Sequence, residues 1–173
     1  MKRRSLLFAA TAVSAAAAGV GGALWHRRRQ EQTELHAQLW GKTFARPGGG
    51  QLQLASFLGK PVLLNFWATW CAPCVTELPL LDRFHRDQQA RGWQVIGLAV
   101  DNDAPVLAFL AQRPVSFPVG LAGFEGLSLS RALGNTGGGL PFSVVFDATG
   151  AARHQKLGAI EPEELARWAE STR

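Results

Sequence analysis

The chain contains two cysteines, Cys71 and Cys74, which are separated by two residues in the segment WATWCAPC (residues 67–74). A disulfide scaffold needs several cysteine pairs at wider spacing, so this pair is not a structural staple. Half of a zinc site would need two further ligands, and no second cysteine pair exists. His85 falls further along the same predicted helix, on a face that we expect to be solvated, and His154 falls in a late strand. The spacing therefore favours a redox-active dithiol, and we expect no metal.

The cysteine pair lies where an apolar run of strand length, residues 61–67, gives way to a helical pattern. At a helix N-terminus the unpaired N–H groups and the dipole stabilise a thiolate on Cys71, and the thiolate is the attacking species. Cys74 lies one turn further along and faces the same way, so it can attack the sulfur of Cys71 and release a mixed disulfide. Pro73 fits the first helical turn, where its missing N–H is not needed.

Strands and helices alternate around this pair. Residues 61–67 and 93–100 are apolar runs typical of strands buried on both faces. Between them, apolar residues at spacings of three and four predict a helix that ends at Gly92. Similar patterns predict a hairpin at 39–44 and 51–54, a helical turn at 55–58, helices at 104–112, 127–133 and 161–171, and strands at 117–119, 142–146 and 152–156. This order indicates an α/β fold with a mixed central sheet flanked by helices.

The basic charge is concentrated at the N-terminus. The chain has 173 residues, with 47% hydrophobic and 18% charged residues, which is a globular composition. Six of the 18 basic residues lie in the first thirty positions, and 12 basic against 13 acidic residues remain elsewhere. The folded part thus lacks the basic stripe of a nucleic-acid-binding protein.

Residues 1–29 read as a signal peptide or a signal-anchor transmembrane segment. A basic start is followed by uncharged residues 5–25 and then by basic residues again, and about 20 apolar residues can span a bilayer. The start RRSLL (residues 3–7) resembles a twin-arginine signal, although general secretory export and cleavage near residues 21–23 stay open. Residues 30–38 read as a linker and 39–173 as the domain. We expect this domain in the periplasm, tethered to the inner membrane or released after cleavage.

The segment NFWATWCAPC (residues 65–74) resembles the active-site segment of thioredoxin-like proteins. More narrowly, WCAPCVTELP (residues 70–79) resembles the TlpA/ResA group of exported thiol–disulfide oxidoreductases. This resemblance implies a thioredoxin-like fold with that group's N-terminal hairpin and a strand–helix insertion between Cys71 and Pro141. It also implies that the Leu140–Pro141 peptide is cis and that the backbone of Leu140 pairs with an extended substrate segment.

In the resembling group, a glutamate at the position of Glu77 lies close to the buried cysteine. A carboxylate in a poor dielectric has a raised pKa and can take the proton of Cys74. Asn65 stands where thioredoxin has a buried aspartate, so Asn65 cannot be the acid–base group. The residues expected to contact the substrate are Trp70, Ala72, Pro73, Leu140 and Pro141.

The direction of electron transfer is suggested by Ala72 and Pro73. Strong oxidants of this fold often carry a histidine between the cysteines, and its absence favours a reducing protein. Such a protein needs a membrane thiol electron donor in an oxidising periplasm, and it needs no cofactor. We expect it to reduce disulfides in exported proteins, with apocytochrome c or copper-site proteins among the possible clients.

Two alternatives remain open. A non-catalytic copper-handling or respiratory-oxidase assembly protein would favour a CxxxC spacing with a histidine, or methionine-rich loops, but this spacing is shorter and the one methionine is Met1. A peroxiredoxin-type peroxidase needs the arrangement PxxxTxxC. Thr69 lies two residues before Cys71, which is the wrong offset.

Overall fold

A computed structural model describes residues 21–27, 34 and 37–172. Residues 21–27 are helical and exposed, while the twin-arginine-like motif and most of the predicted linker lie outside the described residues. No helix within the described part of the chain is long and apolar enough to cross a membrane. The compact domain begins at Gln38.

The domain is built on one mixed sheet of seven strands in the order β2-β1-β5-β4-β3-β6-β7. Strands β3, β4 and β5 are mutually parallel, and the other pairings are antiparallel. The strands are β1 Thr43–Ala45, β2 Gln51–Gln53, β3 Val62–Trp67, β4 Gln94–Ala99, β5 Val119–Leu121, β6 Phe142–Phe146 and β7 Ala152–Leu157. The α-helices that follow β1 are α1 Ala72–Gln88, α2 Asp103–Gln112, α3 Glu125–Ala132 and α4 Pro162–Ser171, and short 3-10 helices cover Leu54–Phe57 and Gln89–Arg91.

The centre of the sheet is fully apolar apart from two polar side chains. All six residues of β3 and all five of β6 are buried, which explains why their sequences run apolar without alternation. The two polar members are Asn65 and Ser143, and they lie directly opposite each other in the β3–β6 register. Burying a polar group costs free energy unless it is hydrogen-bonded, so both side chains require hydrogen-bond partners within the core.

Helix α1 packs on the domain core and holds the cysteine pair at its N-terminus. Its buried positions recur at spacings of three and four, and they include Cys74, Leu78 and Leu81. The α-helix ends at Gln88, and a 3-10 turn then leads to Gly92, whose φ of 86° is left-handed. Gly92 therefore terminates the helical segment as predicted, although through a tighter last turn.

The thioredoxin-like α/β fold predicted from the sequence is confirmed, and the differences lie at element boundaries. The first hairpin strand is shorter than predicted because residues 37–40 are helical. The strand predicted at 117–119 lies at Val119–Leu121. Phe117 is buried outside the ladder, so its apolar character reflects packing rather than strand pairing. Strand β5 and helix α3 provide the expected insertion, and β5 joins β4 to the N-terminal hairpin.

Candidate active site

The cysteine pair lies at the start of α1, immediately after the loop that leaves β3. Cys71 is the N-cap residue, with extended φ and ψ of −92° and 99°. Its sulfur accepts a hydrogen bond from the backbone N–H of Cys74 at 3.3 Å. Pro73 occupies the first turn of the helix. The first-turn N–H therefore points at the sulfur, as stabilisation of a thiolate requires.

Cys71 and Cys74 form a disulfide in this structure, with a Cα–Cα distance of 5.3 Å. The two residues differ in accessibility, since Cys71 is 7% exposed and Cys74 is 1% exposed. A reacting thiol or disulfide from outside therefore reaches Cys71 first. The geometry agrees with an attacking Cys71 and a resolving Cys74.

Glu77 lies on α1 three residues after Cys74, and its side chain is buried in the domain, with 4% exposure. Residues at this spacing are neighbours on a helix surface. One carboxylate oxygen, Oε1, accepts a hydrogen bond from Asn65 Nδ2 at 2.9 Å. The other, Oε2, accepts one from the backbone N–H of Ile160 at 3.0 Å. The carboxylate is thus fixed from two sides, beside the less accessible cysteine.

Burial raises the pKa of Glu77 from 4.5 to about 7, because the charged form loses its hydration. The hydrogen bonds from Ile160 and Asn65 and the charge of Lys156 act in the opposite direction but are outweighed. A carboxyl group with this pKa exchanges a proton readily at neutral pH, which is the property required of a general acid or base.

Two partners of this carboxylate network were missed by the sequence analysis. Asn65 Nδ2 also donates to Ser143 Oγ at 2.9 Å, which orients the amide toward Glu77. Ser143 could have been noticed as the single polar residue in the apolar strand FSVVF. Ile160 contributes only a backbone N–H, and no side-chain pattern signals such a contact.

Trp70 projects from the loop before Cys71 and is 65% exposed. The loop is held in place by Asp101 at the end of β4, whose Oδ2 accepts from Thr69 Oγ1 at 2.6 Å and from Thr69 N at 3.2 Å. Trp67 is fully buried in the core. The indole of Trp70, the residue before Cys71, is thus open to solvent, whereas Trp67 is a packing residue of the core.

The peptide bond between Leu140 and Pro141 is cis, as the family resemblance implies. Leu140 is half-buried and packs against the hydrophobic cluster that contains both cysteines. The loop before it is held by Asn135, whose Nδ2 donates to Gly139 O at 2.8 Å and to Ser130 Oγ at 3.1 Å. The backbone N–H and C=O of Leu140 form no hydrogen bond with another described residue.

The expectation that His85 is solvated was wrong. His85 is 4% exposed, and its Nδ1 accepts a hydrogen bond from the backbone N–H of Val95 at 3.4 Å. Burial lowers the pKa of His85, and the residue packs between α1 and β4. No group of three or more His, Cys, Asp or Glu side chains that could hold a metal ion occurs among the residues that the structure describes.

The profile of the Redoxin family matches residues 41–170. The chain belongs to the Redoxin family. The thiol–disulfide oxidoreductase ResA of Bacillus cereus is 29% identical over 168 residues, which cover 95% of each chain. ResA of Bacillus anthracis is 33% identical over 119 residues, covering 68% of this chain and 66% of that protein. A solved thioredoxin-family thiol:disulfide interchange protein from Chlorobium tepidum is 28% identical with a TM-score of 0.65, covering 76% of this chain and 92% of that one.

These similarities agree with the thiol–disulfide chemistry that the Cys71–Cys74 pair indicates. This member of the Redoxin family is a ResA-like thiol–disulfide oxidoreductase with a thioredoxin-like fold. Disulfide-containing proteins are the class of partner that this chemistry implies.

The raised pKa of Glu77 makes protein stability depend on pH. Because the folded protein favours the protonated carboxyl, this stabilisation is fully present below pH 4.5 and is lost as pH rises to about 7. We expect the free energy of unfolding of the oxidised wild type to fall relative to Glu77→Gln across that window, by about 1–3 kcal/mol.

Denaturant unfolding of the oxidised proteins at several pH values between 4 and 8 measures this difference. A glutamine at this position places an amide donor against Asn65 or Ile160, so we expect the free energies of unfolding of the two proteins to differ by a constant amount as well. The informative quantity is therefore how that difference changes with pH. The exposed Glu163 provides the matched control, Glu163→Gln. A wild type–Glu77→Gln difference that stays constant with pH would contradict the prediction.

Proposed function

We propose that this oxidoreductase works in the periplasm as a reductase of disulfides in exported proteins. In this proposal the segment 1–29 directs export and tethers the domain to the inner membrane or is cleaved, and a membrane thiol carrier supplies electrons. The observation that carries the proposal is the Cys71–Cys74 pair at the start of α1, with the buried carboxyl of Glu77 one turn beyond the resolving cysteine.

The reaction begins with the reduced protein. The thiolate of Cys71 attacks one sulfur of the client disulfide; a Cys71–client S–S bond forms, the client S–S bond breaks, and the first client thiolate leaves and takes up a proton. Cys74 then loses its proton and attacks the sulfur of Cys71. The mixed disulfide breaks, the second client thiolate leaves, and the protein retains a Cys71–Cys74 disulfide. Two electrons have passed to the client.

The second step needs an acceptor for the proton of Cys74, which is shielded from water at 1% exposure. In the proposed mechanism this acceptor is the ionised form of Glu77, whose pKa is raised to about 7. Asn65 and Ile160 hold the carboxylate in position before the transfer. The proton later passes to the leaving client thiolate, which returns Glu77 to its ionised form for the next turnover.

Client recognition at the site is proposed to use the backbone of Leu140 and the exposed surface around Cys71. The unpaired N–H and C=O of Leu140 can form strand-like hydrogen bonds with an extended client segment. Trp70, Ala72 and Pro73 are exposed beside the sulfur, and Pro141 is buried behind Leu140. Apocytochrome c and proteins with cysteine copper sites are the client classes that we propose.

A resolving-cysteine variant should accumulate the mixed disulfide. In the full-length chain, Cys74→Ser leaves the Cys71 thiolate active but removes the residue that releases the client. We expect cysteine-containing envelope proteins to be bound covalently and to be released by dithiothreitol, as measured by non-reducing electrophoresis and mass spectrometry.

The control for this trapping is Cys71→Ser, which should capture nothing because the accessible thiolate is absent. Recovery of no client with Cys74→Ser, or recovery only of cytosolic proteins, would contradict the proposed role in the envelope.

Removal of the proton acceptor should slow resolution specifically. With Glu77→Gln, we expect release of a peptide from the Cys71 mixed disulfide to slow at least about tenfold. The wild-type rate should rise with pH through an inflection near 7, and the variant should lack that inflection. Rapid-quench kinetics measure both, with Glu163→Gln as the control; an unchanged pH profile would exclude the proposed role of Glu77.

The absence of a histidine between the cysteines predicts a reducing potential. Equilibration with defined ratios of reduced and oxidised glutathione should place the protein nearer to thioredoxin, about −270 mV, than to the strong oxidant at about −120 mV. A potential near the latter value would reverse the proposed direction of electron transfer.

A further inference from the structure

A groove with a volume of about 400 Å³ lies between α1 and the C-terminal end of α2. Its walls include apolar side chains from both sides, among them Val75 and Leu78 of α1 and Phe109 of α2. Three arginines also line it, and all three are exposed: Arg83, Arg86 and Arg113. An apolar floor with a cationic rim is a binding surface for a partly apolar anion.

The acidic residue in the groove, Asp82, is already engaged by its neighbours. One carboxylate oxygen accepts from both the backbone N–H and the hydroxyl of Ser116 at 2.6 Å, and the other pairs with Arg86. Although partial burial acts to raise it, these hydrogen bonds hold the pKa of Asp82 below its usual value. Arg113 stacks over the ring of Phe109 at 5.8 Å.

The charge of this rim stands out from the rest of the domain. Three arginines against the one carboxylate of Asp82 leave two positive charges in excess, whereas the chain beyond its first thirty residues has fewer basic than acidic residues. Arg83 and Arg113 form no ion pair with a carboxylate of another described residue. Both guanidinium groups are therefore available to an anionic partner.

The groove lies on the same face of α1 as the reactive cysteine. Positions 71, 75, 79, 82 and 86 follow one another at spacings of three and four, so they form one stripe along the helix. At a rise of 1.5 Å per residue, Arg83 and Arg86 lie about 18–22 Å along α1 from Cys71. An extended polypeptide covers that distance in roughly five to seven residues. A small thiol compound is too short to cover it.

We propose that this groove binds an acidic segment of the client protein while the client cysteine is bonded to Cys71. The segment carries carboxylates about five to seven residues from the cysteine, on the side that does not pair with Leu140. Its apolar side chains rest on Val75, Pro79 and Phe109, and its carboxylates meet Arg83 and Arg113. The proposal rests on the reductase function above and adds a specificity determinant to it.

Synthetic peptides with one cysteine joined by a disulfide to 5-thio-2-nitrobenzoate test the proposal in single turnover with reduced full-length protein. Attack by Cys71 on the peptide sulfur releases the coloured thiolate, and Cys74 then releases the peptide and closes the protein disulfide, so no added reductant is needed. One peptide pair carries glutamates or glutamines five to seven residues from the cysteine. A third peptide carries the glutamates at one and two residues, and each design is made on both sides of the cysteine.

We expect the distal-glutamate peptide on one side to react about fivefold faster than its glutamine counterpart at subsaturating concentration, with the difference reduced in 1 M salt. Arg83→Glu/Arg113→Glu should abolish this preference and leave the rate with the glutamine peptide unchanged, which also shows that the variant is folded. Arg91→Glu, which reverses the charge of one arginine outside the groove, should retain the preference.

Equal rates for the distal-glutamate and glutamine peptides on both sides would overturn the groove proposal while leaving the reductase function intact. A preference that persists in the double arginine variant, or that is equally strong with proximal glutamates, would also overturn it. Failure to release the coloured thiolate from any peptide would instead contradict the reductase function itself.

Discussion

The buried carboxyl of Glu77 joins three separate parts of the domain. Its two oxygens receive hydrogen bonds from Asn65 on β3 and from the backbone N–H of Ile160 in the turn before α4, while Glu77 itself belongs to α1. Burial of a carboxylate without such partners costs several kcal/mol. The central strand, the active-site helix and the C-terminal turn must therefore keep their relative positions for the ionised form to exist, and Ser143 fixes the Asn65 amide from a fourth element.

The sheet topology places the other reactive components around that carboxyl. Because β3, β4 and β5 are parallel, the loop with the cysteines and the loop with Asp101 leave the same edge of the sheet. Strand β6 runs the opposite way, and its register pairs Phe142 with Phe66. Pro141 therefore enters β6 at the edge where the chain leaves β3 for the cysteine loop. One mixed sheet thus brings the attacking sulfur, the proton acceptor and the cis-proline loop together.

The sequence analysis predicted well what local patterns determine and poorly what distant contacts determine. The strand at 142–146 was predicted with the bounds observed in the structure, since apolar run and turn signals are local. The contacts around Glu77 were missed because they join residues far apart in the sequence. Ile160 lies 83 residues from Glu77, and Ser143 lies 78 residues from Asn65, through which it acts on Glu77. His85 was misplaced for the same reason: α1 alone does not reveal that its C-terminal half is covered by β4.

Helix α1 separates chemistry from recognition by its two faces. Cys74, Glu77 and Leu81 point into the domain, where burial sets the pKa of the carboxyl and shields the resolving thiol. Val75, Arg83 and Arg86 lie on a different side of the helix, where they are partly or fully exposed and line the groove. Screening by solvent is strong on that outer side and weak on the inner one, so a charge altered at the groove acts on an approaching client and leaves the proton transfer inside unchanged. Client preference and redox chemistry can therefore vary independently on one helix.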